Sequence, residues 1–238
     1  MTYFDAIYVI NLPSRTDRRA QMQAQLRKVG IDPDASPVRF FDAIRPDDAA
    51  GFPTIGARGC FLSHLGVLRD ARDAGHQRIL VLEDDLDFGA GFVRRFEALA
   101  PALEQLQWDL WHLGALSVTP MPAGAGELLV LPPHSVVLGT HMLAFHARVI
   151  APLIAYLEAM AARPEGDPAG GPMHVDGAYF WFRRAHPQVR TVLAAPVLGH
   201  QRPSRTDVHT LRWFDRLPGL DKAVALLRGA RERLALRR

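Results

Sequence analysis

The stretch RILVLEDDLDF, residues 78–88, says more about fold and chemistry than any other part of the chain. Its apolar residues 79–82 predict a short buried strand. Four acids follow within five positions: Glu83, Asp84, Asp85 and Asp87. Carboxylates this close repel one another, which raises their pKa values unless a cation lies among them. We therefore expect a divalent cation at the carboxyl end of a strand, where open α/β sheets bind ligands. The alternative is a solvated acidic turn that caps the next helix.

Strand and helix patterns alternate through the first half of the chain. Apolar strand patterns lie at residues 6–10, 38–41, 79–82 and 109–113. Apolar residues recur at helical spacing between Ser14 and Gly30, and again in residues 57–74 and 92–106. This alternation predicts an α/β layered domain with a mostly parallel central sheet. The second half is less regular, and its Gly- and Pro-rich stretch 163–172 is either a lid over a site or a surface connector.

The composition indicates an ordinary globular protein. Of 238 residues, 48% are hydrophobic and 22% are charged, which fits one domain. We assign residues 1–218 to that domain, with halves at 1–115 and 116–218. The single cysteine, Cys60, excludes an intrachain disulfide and fits a reducing compartment. Because signal-peptide and membrane-span patterns are missing, we expect a soluble, cytoplasmic protein.

Basic and polar residues follow the first strand. The segment VINLPSRTDRR, residues 9–19, places Asn11, Arg15 and Arg18 at or just beyond the carboxyl end of that strand. In an open sheet this edge faces the same crevice as the acid cluster. Arginine forks suit a diphosphate, so the two groups could hold one ligand between them. A helix with an exposed basic first turn is the alternative.

Five segments together resemble a known family. They are VINLPSRTDRR (9–19), GARGCFLSHLGVLRDA (56–71), ILVLEDDLDF (79–88), GTHMLAFHARV (139–149) and HVDGAYFWF (174–182). Their order is similar to that of glycosyltransferase family 25, which contains bacterial lipopolysaccharide and lipooligosaccharide glycosyltransferases and has the collagen galactosyltransferases as relatives. The resemblance covers roughly residues 6–206.

The resemblance implies a GT-A-type, Rossmann-like α/β sandwich that uses a UDP-sugar donor and Mn2+ or Mg2+. It implies a donor site formed by Asn11, Leu12, Arg15, Arg18, Ser63, His64, Glu83 and Asp84. Asp85 is the expected metal ligand. Asp87 is a second candidate, since residues 85–87 form a DxD, and His200 is a third. Cys60 and His64 lie four apart on one helical face, but alone they make a poor zinc site, and a packed cysteine is the expectation.

The second half should bind the acceptor and supply the base. Inverting transfer needs a group to take the proton of the acceptor hydroxyl, and Asp176 is the candidate. A simple helix cap is the alternative role for Asp176. The expected acceptor contacts are Gly139, Thr140, Tyr179, Trp181, Gln201 and Ser204. Residues 179–182 are consecutive aromatics, so some of them must belong to the core.

These assignments predict transfer of a hexose, with galactose the first choice, to a hydroxyl of a lipopolysaccharide or lipooligosaccharide glycan. Two other functions stay open. A nucleotidyltransferase that makes a sugar nucleotide would show a Gly-rich loop after the first strand, and residues 11–19 contain no glycine. A non-catalytic sugar-nucleotide-binding module would keep the fold without the reaction.

The carboxyl-terminal residues 219–238 predict a basic amphipathic helix. Such a helix can lie on an anionic membrane surface, which would suit a lipid-linked oligosaccharide acceptor and a peripheral location on the inner face of the cytoplasmic membrane. The alternative is a terminal helix packed on the domain with a solvated basic face. We expect no nucleic-acid partner.

Overall fold

A computed structural model describes residues 3–122, 124 and 126–202 of the chain. The helices are α1 (Thr16–Lys28), α2 (Ile55–Asp73), α3 (Phe92–Gln105), α4 (Ala147–Ala162) and α5 (Val175–Ala185). The strands are β1 (Ala6–Asn11), β2 (Val38–Asp42), β3 (Arg78–Glu83), β4 (Leu86–Phe88), β5 (Leu110–His112), β6 (Ser117–Thr119), β7 (Leu128–Leu131), β8 (Val136–Leu138), β9 (Met142–His146), β10 (Thr191–Ala194) and β11 (Gly199–Gln201). The predicted helix 219–238 and Ser204 lie outside the described residues.

The centre of the fold is a seven-stranded sheet with the order β2-β1-β3-β9-β5-β10-β7. Strands β2, β1, β3, β5 and β10 run in one direction, while β9 and β7 run against them. The predicted α/β class with a mostly parallel central sheet is confirmed. All of residues 79–82 are at most 1% exposed. A strand covered on both faces reads as a continuous apolar run, which is why this segment marks the sheet.

Each face of the sheet carries its own hydrophobic core. Ile79 and Val81 pack with residues of α2, α4 and α5, whereas Leu80 and Leu82 pack with residues of α1 and α3. Successive side chains of a strand point to opposite faces, so the run 79–82 contributes side chains to both cores. The result is a three-layer sandwich, in which the carboxyl ends of the neighbouring strands β1 and β3 lie side by side.

Two small antiparallel sheets complete the fold. Strand β4 begins shortly after β3 and pairs with β11, so that Asp87 lies opposite His200. Strands β6 and β8 form the other pair. Residues 189–198 also have the apolar pattern of a strand, but β10 covers only Thr191–Ala194 of them and ends just before Pro196. Proline lacks the amide hydrogen that would continue the ladder.

None of the helices in the described part of the chain combines the length and the apolar character that crossing a bilayer requires.

Candidate functional site

The carboxyl ends of β1 and β3 meet in a buried ionic network. The two strands are parallel neighbours with Ile10 opposite Glu83, so Asn11 and Asp84 lie side by side. Asn11 Nδ2 donates to Asp84 Oδ2 at 2.7 Å, and Arg18 Nη1 donates to Asp84 Oδ1 at 2.8 Å. All three side chains are buried. The fold therefore brings these three predicted donor residues together and compensates Asp84 within the protein.

Asp85 is adjacent but lies in a different environment. Its Oδ2 accepts from Gln201 Nε2 at 3.3 Å and lies 3.6 Å from Arg18 Nη1. Its Oδ1 is buried and has no hydrogen-bond partner among the described residues. Burial, followed by repulsion from Glu83, raises the pKa of Asp85 to about 7 against the attraction of Arg18. A cation at the unpartnered oxygen would relieve that repulsion, so Asp85 fits a metal ligand.

Glu83 is stabilised as a carboxylate. Thr140 Oγ1 donates to Glu83 Oε1 at 2.5 Å, and His64 Nε2 lies 3.5 Å from the same oxygen. Burial alone would raise the pKa of Glu83, but the nearby His64 ring, together with the hydrogen bond from Thr140, lowers the pKa overall. Glu83 and Asp85 thus have shifts of opposite sign, an arrangement found in sites that handle charge.

The other two metal candidates lie on the β4–β11 pair. Asp87 is 41% exposed at its side chain, and Arg202 Nη2 lies 2.6 Å from its Oδ1. The backbone amide of Arg202 also donates to the Asp85 carbonyl at 2.6 Å. His200 is exposed on the strand opposite Asp87. Gln201, a predicted acceptor contact, donates to the metal candidate Asp85.

Asp176 is joined to the acid cluster by a short chain of contacts. It lies in the first turn of α5, where Gly139 N donates to its Oδ2 at 3.3 Å and Gly177 N to its Oδ1 at 2.8 Å. The next residue after Gly139 is Thr140, which bonds Glu83. The predicted base and two predicted acceptor residues therefore border the acids of β3.

Several predicted residues are engaged elsewhere. Ser63 is fully buried, donates to the Gly59 carbonyl at 2.6 Å and accepts from Ile44 N at 2.8 Å, so its hydroxyl ties α2 to the segment after β2. Tyr179 is 2% exposed, and its hydroxyl meets His64 Nδ1 at 2.9 Å. Its ring offers no face to a sugar, because α5 turns it into the core.

Other predicted residues lie at the margins of the site. Trp181 is half-buried and packs against the hydrophobic core. Leu12 accepts the backbone hydrogen bond of Arg15 at 2.8 Å, in the turn that follows β1. The guanidinium of Arg15 pairs with Asp17 at 3.0 Å on the surface. The turn therefore holds Arg15 outside the buried network that Arg18 enters.

Two residues of the site were missed from the sequence, His141 and Arg202. His141 is 1% exposed, and its Nε2 lies 3.4 Å from the Gly199 carbonyl. Burial lowers its pKa against the attraction of Glu83. A Cβ at Gly114 would lie 2.4 Å from the His141 ring, which explains the glycine there. The position of His141 within GTHMLAF, directly after Gly139 and Thr140, is the signal that could have identified it.

Comparison with protein families places these elements in a known group. The family model "Glycosyltransferase family 25 (LPS biosynthesis protein)" matches residues 4–122. This region contains β1, α1, α2 and the acid cluster of β3 and β4.

Curated relatives match about half of the chain. Procollagen galactosyltransferase 1 of Danio rerio is 35% identical over 129 residues, which is 47% of this chain and 21% of the relative. Inactive glycosyltransferase 25 family member 3 of Homo sapiens is 33% identical over 147 residues, which is 52% of this chain and 24% of the relative. The chain spans about a fifth to a quarter of the length of the relatives it matches.

Solved structures resemble the chain at low sequence identity. A glycosyltransferase involved in glycosylation of the major capsid of PBCV-1 aligns with a TM-score of 0.47 and 11% identity, covering 84% of this chain and 94% of the other. A 4-diphosphocytidyl-2C-methyl-D-erythritol synthase of Anaerococcus prevotii aligns with a TM-score of 0.41 and 13% identity, covering 80% and 70%.

Proposed function

The chain belongs to glycosyltransferase family 25, and from this membership we propose that it moves a hexose from a UDP-sugar to a hydroxyl of a lipopolysaccharide or lipooligosaccharide glycan. The family predicted from the five segments is confirmed by the match over residues 4–122. Galactose is the first choice of sugar because galactosyltransferases are among the similar proteins. The glycan class follows the description of the family model.

The contrast between Asp84 and Asp85 is the observation that carries the proposal. Asp84 is fully compensated by Asn11 and Arg18, while Asp85 keeps a buried, unpartnered oxygen and a raised pKa. A carboxylate left in this state suits Mn2+ or Mg2+, with Asp87 or His200 as the further ligand. Such an ion supplies positive charge against the diphosphate of the donor. Asn11, Arg18 and Asp84 would form the floor beside it.

Asp176 is proposed as the general base. The acceptor hydroxyl would give its proton to the Asp176 carboxylate as its oxygen bonds to the anomeric carbon. The bond from that carbon to the diphosphate oxygen breaks, and UDP leaves from the opposite face, which inverts the anomeric configuration. Gly139 and Thr140 support this role because they link Asp176 to Glu83, so the base lies beside the proposed donor site.

The test is UDP release from a panel of UDP-sugars, with Mn2+ and with EDTA, in the presence of a soluble glycan acceptor. We expect one UDP-sugar to be turned over in a Mn2+-dependent manner and Asp85→Asn to lose that turnover. Equal UDP release in EDTA would contradict the metal assignment. Turnover only when UTP and a sugar 1-phosphate are supplied would instead indicate a nucleotidyltransferase.

A non-catalytic module that binds sugar nucleotides is the second candidate function, and the inactive relatives support it. Proteins named inactive match this chain at 33% identity, close to the 35% of a named galactosyltransferase. Calorimetry with the UDP-sugar panel separates the two functions. Saturable binding without release of UDP in any acceptor mixture would indicate a binding module.

Membrane association through residues 219–238, which lie outside the described residues, is part of the proposal. Arginines near an anionic surface contribute about 1 kcal/mol each. Truncation after Pro218 should abolish sedimentation with anionic vesicles while turnover on a soluble acceptor continues. Equal sedimentation of both proteins would contradict the peripheral, inner-face location.

A further inference from the structure

A cysteine, a histidine and a carboxylate meet at one point beside the acid cluster. Cys60 and His64 lie one turn apart on α2, and Glu83 ends β3. Their Sγ, ring nitrogen and carboxylate oxygen all lie within 4.8 Å of one another. From the sequence we expected Cys60 to be a packing residue, because a cysteine and a histidine alone make a poor zinc site. The third group, Glu83, is 19 positions beyond His64, and the fold brings it to them.

His64 gives independent evidence that this point takes a ligand. Its side chain is 1% exposed, and its Nε2 has no hydrogen-bond partner among the described residues. The other ring nitrogen, Nδ1, lies 2.9 Å from the Tyr179 hydroxyl. When Nδ1 carries the proton and donates it to the tyrosine oxygen, Nε2 keeps its lone pair and lies 3.5 Å from Glu83 Oε1. Histidines that bind metal are oriented by such a contact at the second nitrogen.

We propose that Cys60, His64 and Glu83 form a binding site for zinc or a similar borderline-soft divalent ion. Thiolate, imidazole and carboxylate are the ligand types that zinc takes, and three protein ligands leave a fourth position for water or substrate. With metal–ligand distances of about 2.0–2.3 Å, the ligand atoms of a tetrahedral site lie roughly 3.5 Å apart. His64 Nε2 and Glu83 Oε1 already have this separation, and a pair at the 4.8 Å limit would have to close by about 1 Å. This site is distinct from the Asp85 site in its ligands, since thiolate does not suit Mn2+ or Mg2+.

Glu83 is a ligand of this site and also a predicted donor-site residue, which gives zinc a consequence for catalysis. A zinc ion that engages Glu83 withdraws this carboxylate from the proposed donor site. Zinc should then slow sugar transfer even at saturating Mn2+. This consequence depends on the proposed function, whereas zinc binding itself does not.

Cobalt spectroscopy tests the site directly. Co2+ replaces zinc and shows a sulfur-to-cobalt charge-transfer band in the near ultraviolet when a thiolate binds it. Cys60 is the only cysteine among the 238 residues, so any such band must come from this position. We expect the untagged, reduced protein to develop the band with one equivalent of Co2+ and to lose it when Zn2+ is added.

Variants assign the other two ligands. Cys60→Ser should abolish the band, and His64→Gln or Glu83→Gln should weaken Co2+ binding about 10–100-fold, an effect comparable to loss of supporting groups at other metal sites. His134→Gln, an exposed histidine outside the cluster, should keep the band. Thermal unfolding of each variant checks the fold, and Cys60→Ser is the mildest change.

Two results would overturn the site: no charge-transfer band in the wild-type protein, or an unchanged band in both His64→Gln and Glu83→Gln. The ratio of UDP release with and without zinc is the catalytic readout, and it should be lower for the wild type than for Cys60→Ser. If the wild type releases no UDP from any sugar, the proposed function fails while the cobalt result still decides the metal site.

Discussion

The donor side and the acceptor side of the proposed site are built differently. The donor side consists of Asn11, Arg18 and Asp84, and the acceptor side of Gly139, Thr140 and Asp176. Donor-side residues are at most 8% exposed and are joined by side-chain hydrogen bonds of 2.7 and 2.8 Å at the ends of β1 and β3 and the start of α1. Asp176 is only half-buried, and its link to Gly139 is one backbone hydrogen bond of 3.3 Å.

This difference predicts that substitutions on the two sides affect different properties, either the stability of the fold or the rate of the reaction. A buried ion pair leaves an uncompensated charge when one partner is removed, so donor-side substitutions should destabilise the fold. A half-buried carboxylate can be replaced by an amide at little cost to folding. Acceptor-side substitutions should therefore act on the reaction rate.

The largest effect is expected for Asp176→Asn on the acceptor side. Loss of a general base typically lowers the rate by about 10²–10⁴-fold. UDP affinity and the free energy of unfolding should stay close to wild type, because Asp176 is half-buried and the amide oxygen still accepts one of its two backbone hydrogen bonds. Steady-state kinetics combined with UDP calorimetry measures both. A variant that fails to bind UDP would place Asp176 on the donor side, and the difference between the two sides would not hold.

On the donor side, Arg18→Met should lower the free energy of unfolding by about 3–5 kcal/mol, since Asp84 is left buried without its cation. Arg15→Met is the matched control, because Arg15 pairs with Asp17 at the surface and its loss should change little. Urea unfolding followed by tryptophan fluorescence gives both values. Equal stabilities for the two variants would show that the buried network does not support the fold.

Asp85→Asn should lower Mn2+-dependent turnover by about 10²–10³-fold, the size of effect seen when one electrostatic group of a site is removed. Unlike Arg18→Met, Asp85→Asn should not lower the free energy of unfolding. The folded pKa of Asp85 is raised to about 7 from 3.8, so the wild type without metal loses stability as the pH rises from about 4 through 7. The variant lacks that loss and should be at least as stable at pH 8.

Urea unfolding of both proteins at pH 5 and pH 8, with and without Mn2+, measures this difference. Mn2+ should stabilise the wild type and leave Asp85→Asn unchanged. Stabilisation of both proteins by Mn2+ would move the metal to other ligands.

The smallest effect concerns His112, the buried last residue of β5. Burial, with the charges of Arg183 and His141, lowers its pKa to about 3 from 6.5. The unfolded chain therefore binds the proton first, and stability falls as the pH drops below 6.5. Between pH 7 and pH 5 the loss should be on the order of 2 kcal/mol.

His112→Leu should remove this loss, while the exposed His134→Gln should not. Unfolding of the three proteins across this pH range measures it. Acid therefore has opposite effects through these two buried groups, since it favours folding through Asp85 and disfavours it through His112. An unchanged pH profile in His112→Leu would refute the second half of that statement.

Much of this arrangement can be derived from the sequence alone. The apolar run 79–82 predicts a strand covered on both faces, and the acids that follow it predict a charged strand end. The alternation of strand and helix patterns predicts the layers, and the five ordered segments predict the family. These features are local, because periodicity and turn residues depend on neighbours a few positions apart.

The state of each acid was decided only by the tertiary structure. The residue pattern does not separate Asp84 from Asp85, and only the family resemblance gave them different roles. In the fold, Asp84 meets Asn11 and Arg18, while Asp85 keeps an unpartnered oxygen and meets Gln201. Those contacts span 66 to 116 positions of the chain. The pattern of a single segment contains no information about partners at such separations.

The same limit explains the other differences. Tyr179 belongs to the core because α5 turns its ring toward α2, and Cys60 gains metal-ligand partners because β3 ends beside it. A helical pattern indicates which residues share a face but not which element that face meets. Charge, burial and pairing arise from contacts between elements, so the pKa values and the ligand sets of this site are properties of the folded chain.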